Sequence, residues 1–316
     1  GHIRRVAELT LRIAQKINET SDGLFADTGF NADQLKEIRL AGWLHDIGKI
    51  TTPEFVVDKS TKLSTISDGI VTVKTRLELL KRDAEIAFLK EWIGHCLEEG
   101  HTEKPDALEG QFQERCRQLD EDGAFLNEIN YGGEYLAEDK IDRIGRIARN
   151  RWFLNGEEQP LLSEQEVTNL AIRRGTLNNE ERKKIENHAA VTLTMLSALP
   201  FPKKIKNVPS IAASHHERID GRGYPRGLSG DQLPLQARII ALADVFEALT
   251  AKRPYKSAKK ISEVMRIMAM MVKDNHLDRD LFRFFIEEKL FLAYAEENLA
   301  TDQQDEVDFD FLLDQQ

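Results

Sequence analysis

Two aspartates and four histidines fall on the apolar faces of segments whose spacing predicts helices, and this placement constrains the fold more than any other feature of the chain. His45 shares a helical face with Ile38, Ala41 and Gly42, at offsets of seven, four and three residues, and Asp46 follows directly. Asp244 lies among Ala237, Ile240, Ala241 and Ala248, and His188 among Ile185, Val191 and Met195. His215 and His216 are consecutive; on a helix their side chains diverge by about 100° and reach two neighbouring ions more easily than one. A buried unpaired carboxylate costs several kcal/mol, so these faces require a cation or a complete hydrogen-bond set. Nitrogen and oxygen ligands of this kind suit iron, manganese, zinc or nickel better than a thiolate-seeking metal, and one aspartate could bridge two ions.

The same periodicity predicts an all-α architecture, with apolar residues three and four apart from Val6, Leu9, Ile13 and Ile17 to Val264, Ile267 and Met271. Asn31 followed by Gln34 marks the start of a helix that runs to Gly48. Further helices are expected over 178–199, closed by Pro200 and Pro202, over about 208–216, and over 234–251. Residues 64–174 have a different, charge-rich texture, with helical spacing at Leu77, Leu80, Ala84 and Ala87 and at Phe112, Cys116 and Leu119. They read as an inserted helical subdomain between the parts of a discontinuous domain, 1–63 and 175–300, with turns at Gly132–Gly133 and 155–160. The acidic tail, 301–316, ends in a short apolar stretch.

Composition restricts the partners. A net charge of -10 disfavours a nucleic-acid polymer, and the apolar runs are too short to span a membrane. The two cysteines, Cys96 and Cys116, lack the spacing of a zinc site or a disulfide framework, which fits a cytoplasmic location. His95, His101 and His276 sit among charges and read as solvated. A loop crowded with Gly221, Gly223, Gly227 and Gly230 begins just after the paired histidines, where backbone can approach a ligand closely around Tyr224 and Pro225. Arg253 and Lys256 follow Asp244 by two to three helical turns and supply the local positive charge that an acidic chain needs to hold a phosphate ester.

Together, HDIGK at 45–49, NH at 187–188, HHERIDGRGYPRGLSG at 215–230 and ADVFEALTAKRPYK at 243–256 resemble the HD-GYP family, a branch of the HD metal-dependent phosphohydrolases. The resemblance covers residues 2 to about 63 and about 175 to 272. It implies hydrolysis of a bacterial cyclic dinucleotide, cyclic di-GMP or 3′,3′-cyclic GMP-AMP, to the linear dinucleotide and onward to mononucleotide. By the same resemblance, His45, Asp46, His188, His215, His216 and Asp244 are metal ligands with Asp46 as the bridge, and His2 matches the histidine of the family's H-x-x-R-V start. Lys49 then lies beside the scissile phosphate, Arg253 and Lys256 hold the phosphates, and Gly221, Gly223, Tyr224 and Pro225 shape the pocket. Some members hold a third metal with a glutamate four residues before that first histidine, a position absent here, so two divalent ions are expected, iron or manganese first, nickel or zinc next. An upstream sensor or receiver region is expected as well. The 64–174 insertion is not part of the usual core; elaboration of the core or a homodimer interface is the expectation, with gating of the pocket as the alternative. The rival functions are a cyclic-dinucleotide sensor or docking domain without turnover, which the intact ligand set disfavours, and an HD enzyme of mononucleotides, which the glycine loop and RPYK disfavour.

Overall fold

The computed structural model describes residues 1–316 apart from 101, 134, 253–257, 310, 311 and 313–316, and apart from the side chain of residue 99. In chain order the helices are α1 (His2–Glu19), α2 (Ala32–Leu44), α3 (Glu54–Val57), α4 (Ile70–Glu99), α5 (Asp106–Asn130), α6 (Glu138–Ala148), α7 (Glu164–Leu170), α8 (Asn179–Ser197), α9 (Val208–Ala213), α10 (Leu235–Thr250), α11 (Ile261–Lys273), α12 (Arg279–Glu287) and α13 (Leu290–Asn298). The fold is all-α; among the described residues the sheet content is one antiparallel hairpin, β1 (Arg151–Leu154) and β2 (Glu157–Pro160). The chain divides into two compact units, Gly1–Pro53 with Lys183–Gln316, and Glu54–Arg182.

In the first unit, α1 buries Val6, Leu9, Ile13 and Ile17 on one stripe, against a cluster that includes Leu242 and Phe246 of α10 and Val264, Met265 and Met268 of α11. Each such side chain contributes roughly 1.5–3 kcal/mol by leaving water. A second cluster joins Ala41 of α2, Leu196 of α8, Ile211 and Ala212 of α9 and Ile240 of α10. The approach of α1 to α2 is close: a Cβ on Gly42 would lie 3.1 Å from the Cα of Ala7. The capping box at Asn31 and Gln34 forms, with 3.0 and 2.9 Å bonds in the two directions. The tail docks as far as it is described. Leu312 is buried, Asp305 accepts from the Ser262 amide and hydroxyl at 2.9 and 2.7 Å, and the Gln303 amide donates to the carbonyls of Thr250 and Lys259 at 2.9 and 3.1 Å.

In the second unit, α4 and α5 run antiparallel. Leu77 lies under Gly123, Lys81 pairs with Asp120, and the Phe88 and Phe112 rings stack 5.2 Å apart, so numbers rise along one helix as they fall along the other. The unit reaches beyond 64–174 on both sides because its flanks are tied together. Lys59 pairs with Glu181 at 2.8 Å, the Thr176 hydroxyl donates to the Lys59 carbonyl at 2.9 Å, and the buried Lys62 ammonium donates to the Leu170 carbonyl at 2.8 Å. Burial, and the charge of Lys140, push the Lys62 ammonium down to about 8. The 155–160 stretch is not all turn. Asn155 and Gly156, at φ 54° and 83°, make a two-residue hairpin turn, and Glu157–Pro160 pairs as a strand.

Asn130 joins the start of this unit to its core: its Oδ1 accepts from the Leu63 amide at 2.9 Å, its Nδ2 donates to Asp68 at 3.0 Å, and its carbonyl accepts from the Lys62 amide. Asn130→Ala strands a buried amide and is expected to cost about 1–3 kcal/mol in urea denaturation while far-ultraviolet dichroism is retained.

Candidate metal centre

Where the sequence predicts one helix through Gly48, α2 stops at Leu44. Asp46 leaves helical geometry at φ −100° and ψ 7°, and Ile47–Thr51 forms a tighter 3-10 turn. Packing against α8 imposes the break. A Cβ on Gly48 would sit 2.0 Å from the His188 carbonyl oxygen; the Gly48 amide donates to the Thr192 hydroxyl at 3.0 Å, and that hydroxyl donates to the His45 carbonyl at 3.1 Å. The turn therefore brings His45 and Asp46 to the level of His188.

A second correction concerns His215 and His216. The helix expected to carry them, α9, ends at Ala213, so the 100° divergence does not arise; their rings lie 4.0 Å apart between centroids and both turn toward His188. The result is two triads, His188 with His215 and His216, and His2 with His45 and Asp46, each with ligand atoms within 4.8 Å of one another. Asp244 stands at the second triad, its Oδ1 3.2 Å from His2 Nε2 and 3.7 Å from His45 Nε2. Asp46, a member of the second triad, also faces the first. Its Oδ1 is 3.4 Å from His188 Nε2 and 3.7 Å from His215 Nε2, while its Oδ2 is 3.5 Å from His45 Nε2, 3.8 Å from His2 Nε2 and 2.6 Å from the Lys49 ammonium.

The imidazoles are held with Nε2 turned toward the centre. Nδ1 of His45, His188 and His215 each donates to a carbonyl three residues back, those of Gly42 at 2.8 Å, Ile185, and Ala212 at 2.7 Å. Such outer bonds fix the tautomer that leaves the other nitrogen's lone pair free. His45 Nε2 and Asp46 Oδ1 are buried without a hydrogen-bond partner, an arrangement a shared cation satisfies. The residues fit a metal on this ground.

The electrostatics agree. Burial opposes ionisation of Asp46, yet the close approach of the His188 and His45 imidazoles holds its carboxyl well below the usual carboxylate range, and His2 lowers Asp244 in the same way. Burial, helped by the charges of neighbouring histidines, pushes His215 far down and His216 to about 3, so both stay neutral and able to coordinate. His2 is instead raised to about 9 by Asp244 and Glu247, and His45 is raised because Asp46 outweighs the effect of its burial. Without a cation, the His2 imidazole carries positive charge beside the carboxylates.

Two buried carboxylates beside the site were not singled out from the sequence. Glu247, fully buried one helical turn beyond Asp244, accepts from His2 Nδ1 and from Arg5, whose Nε lies at 2.8 Å; the signal was a pair of i, i+3 spacings, His2 with Arg5 and Asp244 with Glu247. Glu217, also buried, accepts from the amides of Arg226 at 2.7 Å and Leu228 at 2.9 Å and so closes the glycine loop. Within that loop the Tyr224 amide donates to the His216 carbonyl at 3.2 Å, and the Tyr224 ring lies 4.8 Å from that of His216. Gly221 takes φ 76°, and a Cβ on Gly223 would fall 2.4 Å from the Glu217 Cα, both requirements for glycine. Pro225 follows Tyr224 through a cis peptide bond. His276, read from sequence as solvated, is half-buried beneath this loop, where its carbonyl faces the Ile219 amide; His95 is half-buried as well, and His101 lies outside the described residues. Arg253 and Lys256 also lie outside them. Gly223→Ala has only backbone to displace, so it is expected to lower metal content per chain, measured by elemental analysis, while helical dichroism is retained.

Comparison with known proteins follows the same residues. HD-domain family models match residues 1–149 and 165–281. A 3′3′-cGAMP-specific phosphodiesterase of Vibrio cholerae is 44% identical over 95 residues, 30% of this chain and 20% of that protein. A probable cyclic di-GMP phosphodiesterase of the same organism is 37% identical over 139 residues, 40% of this chain and 30% of that one. The cyclic di-GMP phosphodiesterase response regulator RpfG of Xanthomonas campestris is 44% identical over 87 residues, 28% and 23% of the two chains. The chain thus spans under a third of the length of these relatives. With HD models on both sides of residues 150–164, and the histidine pair leading into the GYP loop, the chain belongs to the HD-GYP branch of the HD-domain family.

Proposed function

We propose that the chain is a metal-dependent phosphodiesterase that opens a bacterial cyclic dinucleotide, cyclic di-GMP or 3′,3′-cyclic GMP-AMP, to the linear dinucleotide and onward to mononucleotide. The observation that carries this reading is Asp46, with one carboxylate oxygen toward each of two triads. The relatives at 37–44% identity include phosphodiesterases named for each of these two substrates, which supports the substrate class.

Two divalent transition-metal ions match the two triads, with iron or manganese favoured and nickel or zinc also suited to imidazole and carboxylate. His188, His215 and His216 would hold one and His2, His45 and Asp244 the other, with Asp46 shared. When bound, such cations neutralise phosphate oxygens and acidify a water for in-line attack on phosphorus as the ribose 3′ oxygen departs. Around that chemistry the chain's residues position and stabilise. Lys49, with its side chain one-third exposed beside Asp46, supplies positive charge at the scissile phosphate. Gly221, Gly223, Tyr224 and Pro225 form the wall next to His216, and Arg253 and Lys256 are assigned to the remaining phosphate oxygens. The divided chain, 1–63 and 175–300 around 64–174, is read as a catalytic core carrying an insertion. No helix among the described residues is long and apolar enough to cross a membrane, and a cytoplasmic site of action suits a nucleotide messenger.

The test is incubation of metal-loaded protein with each cyclic dinucleotide, following linear products by chromatography. Turnover of at least one is expected; tight binding of both with turnover of neither would replace the enzyme by a sensor or docking domain. Asp46→Ala is expected to abolish activity and reduce bound metal while the helical fold persists. Lys49→Ala is expected to retain metal and lower kcat by about 10²-fold or more, the usual loss when one charge-stabilising group is removed.

A further inference from the structure

Of the four imidazoles whose Nε2 faces the carboxylates of the centre, that of His2 is held least by packing. Its side chain is 32% exposed, where those of His45, His188 and His215 are at most 1%. The apolar stripe of α1 begins one turn later, at Val6, and the intervening Ile3 and Arg4 are exposed. Apolar contact alone therefore does not fix the turn that carries His2. Glu247 supplies what packing does not. It is fully buried on α10, one turn beyond Asp244, and its two oxygens have separate tasks: Oε2 accepts from His2 Nδ1, and Oε1 accepts from Arg5, whose Nε lies at 2.8 Å. Arg5 is itself one turn beyond His2, so a single carboxylate grips two successive positions on one face of α1.

Two other roles fit this glutamate less well. As a metal ligand it would need a free oxygen, but both are taken up by His2 and Arg5, and the converging ligand sets among the described residues do not include it. As a filler of the core it would be a poor choice, because a fully buried charge is costly and an apolar side chain of similar volume packs as well or better. A carboxylate on Nδ1 instead fixes the tautomer with Nε2 turned to the centre, 3.2 Å from Asp244 Oδ1, and makes that nitrogen a stronger donor to a cation. His45, His188 and His215 have only neutral carbonyls at Nδ1. Arg5 balances the charge of Glu247 and holds its orientation. We infer, on the reading of the cluster as a metal centre, that Glu247 is the positioning residue of His2. The ion held by His2, His45, Asp46 and Asp244 depends on it, and the ion at His188, His215 and His216 does not.

Calorimetric titration of the metal-stripped full chain with manganese reads this dependence without reference to turnover. The unsubstituted chain is expected to show two sites, and Glu247→Gln, close in volume, to weaken one of them about 10–100-fold while leaving the other unchanged. His2→Ala should weaken the same site, and adding Glu247→Gln to it should cost nothing more, because the effect passes through His2. A glutamate acting only as a nearby negative charge, or only as a structural prop, would cost the same in both backgrounds. That result would overturn the proposal, as would two intact sites in Glu247→Gln. Arg5→Gln, at a partly exposed position, is expected to weaken the same site several-fold, and it keeps the test decisive if Glu247→Gln unfolds; an unchanged site there would count equally against the clamp. Failure of the unsubstituted chain to bind manganese would instead overturn the metal centre itself.

Discussion

A nearly buried carboxylate at Asp46 sets the terms for the first unit. In such a position an isolated charge is unfavourable by several kcal/mol, and three surrounding elements bring compensating nitrogen: α1 through His2, α8 through His188, and the residues after α9 through His215. The apolar packing between these helices is ordinary in kind. Its particular geometry is what places imidazoles on both oxygens of one carboxylate, and the break in α2 after Leu44 exists so that Asp46 can reach that position.

Much of this was legible because a helix has a period. His45, His188 and Asp244 betray themselves as inward-facing by their neighbours at offsets of three, four and seven, and the motif resemblance added His2 and Lys49. The parts that were not legible are those decided between segments. That α2 stops short follows from the fit of Gly48 against the His188 carbonyl, more than a hundred residues away in sequence. The pairing of His215 with His216 in one triad follows from the early end of α9. Glu217 and Glu247 escaped notice because a buried glutamate looks, in a chain that is 31% charged, like any solvated one. Likewise, the strap at Lys59 to Leu63 reads as loop until its partners at Leu170, Thr176 and Glu181 are seen.

The two units solve the problem of polar groups near apolar surroundings differently. In the first, the charges face inward, with histidines held neutral on one side of the centre and His2 protonated on the other. In the second, Lys59 and Lys62 are buried to hold the ends of a segment together, and each spends its charge on a single structural bond or pair. The first arrangement leaves orphaned atoms and so demands a ligand; the second leaves none at the strap and demands nothing further.

The connection between His2 and Glu247 crosses 245 residues of chain, and between them lies the contiguous span Glu54–Arg182. A ribosome adding about 5–20 residues per second takes on the order of 12–50 seconds to cover that distance. For most of that interval His2, His45 and Asp46 have been made while α10 has not, and the second unit is synthesised in the meantime. The nascent chain therefore holds one part of the cluster, His2, His45 and Asp46, well before the residues that meet it. For this molecule, the order of synthesis separates in time the making of residues that end up side by side in the centre.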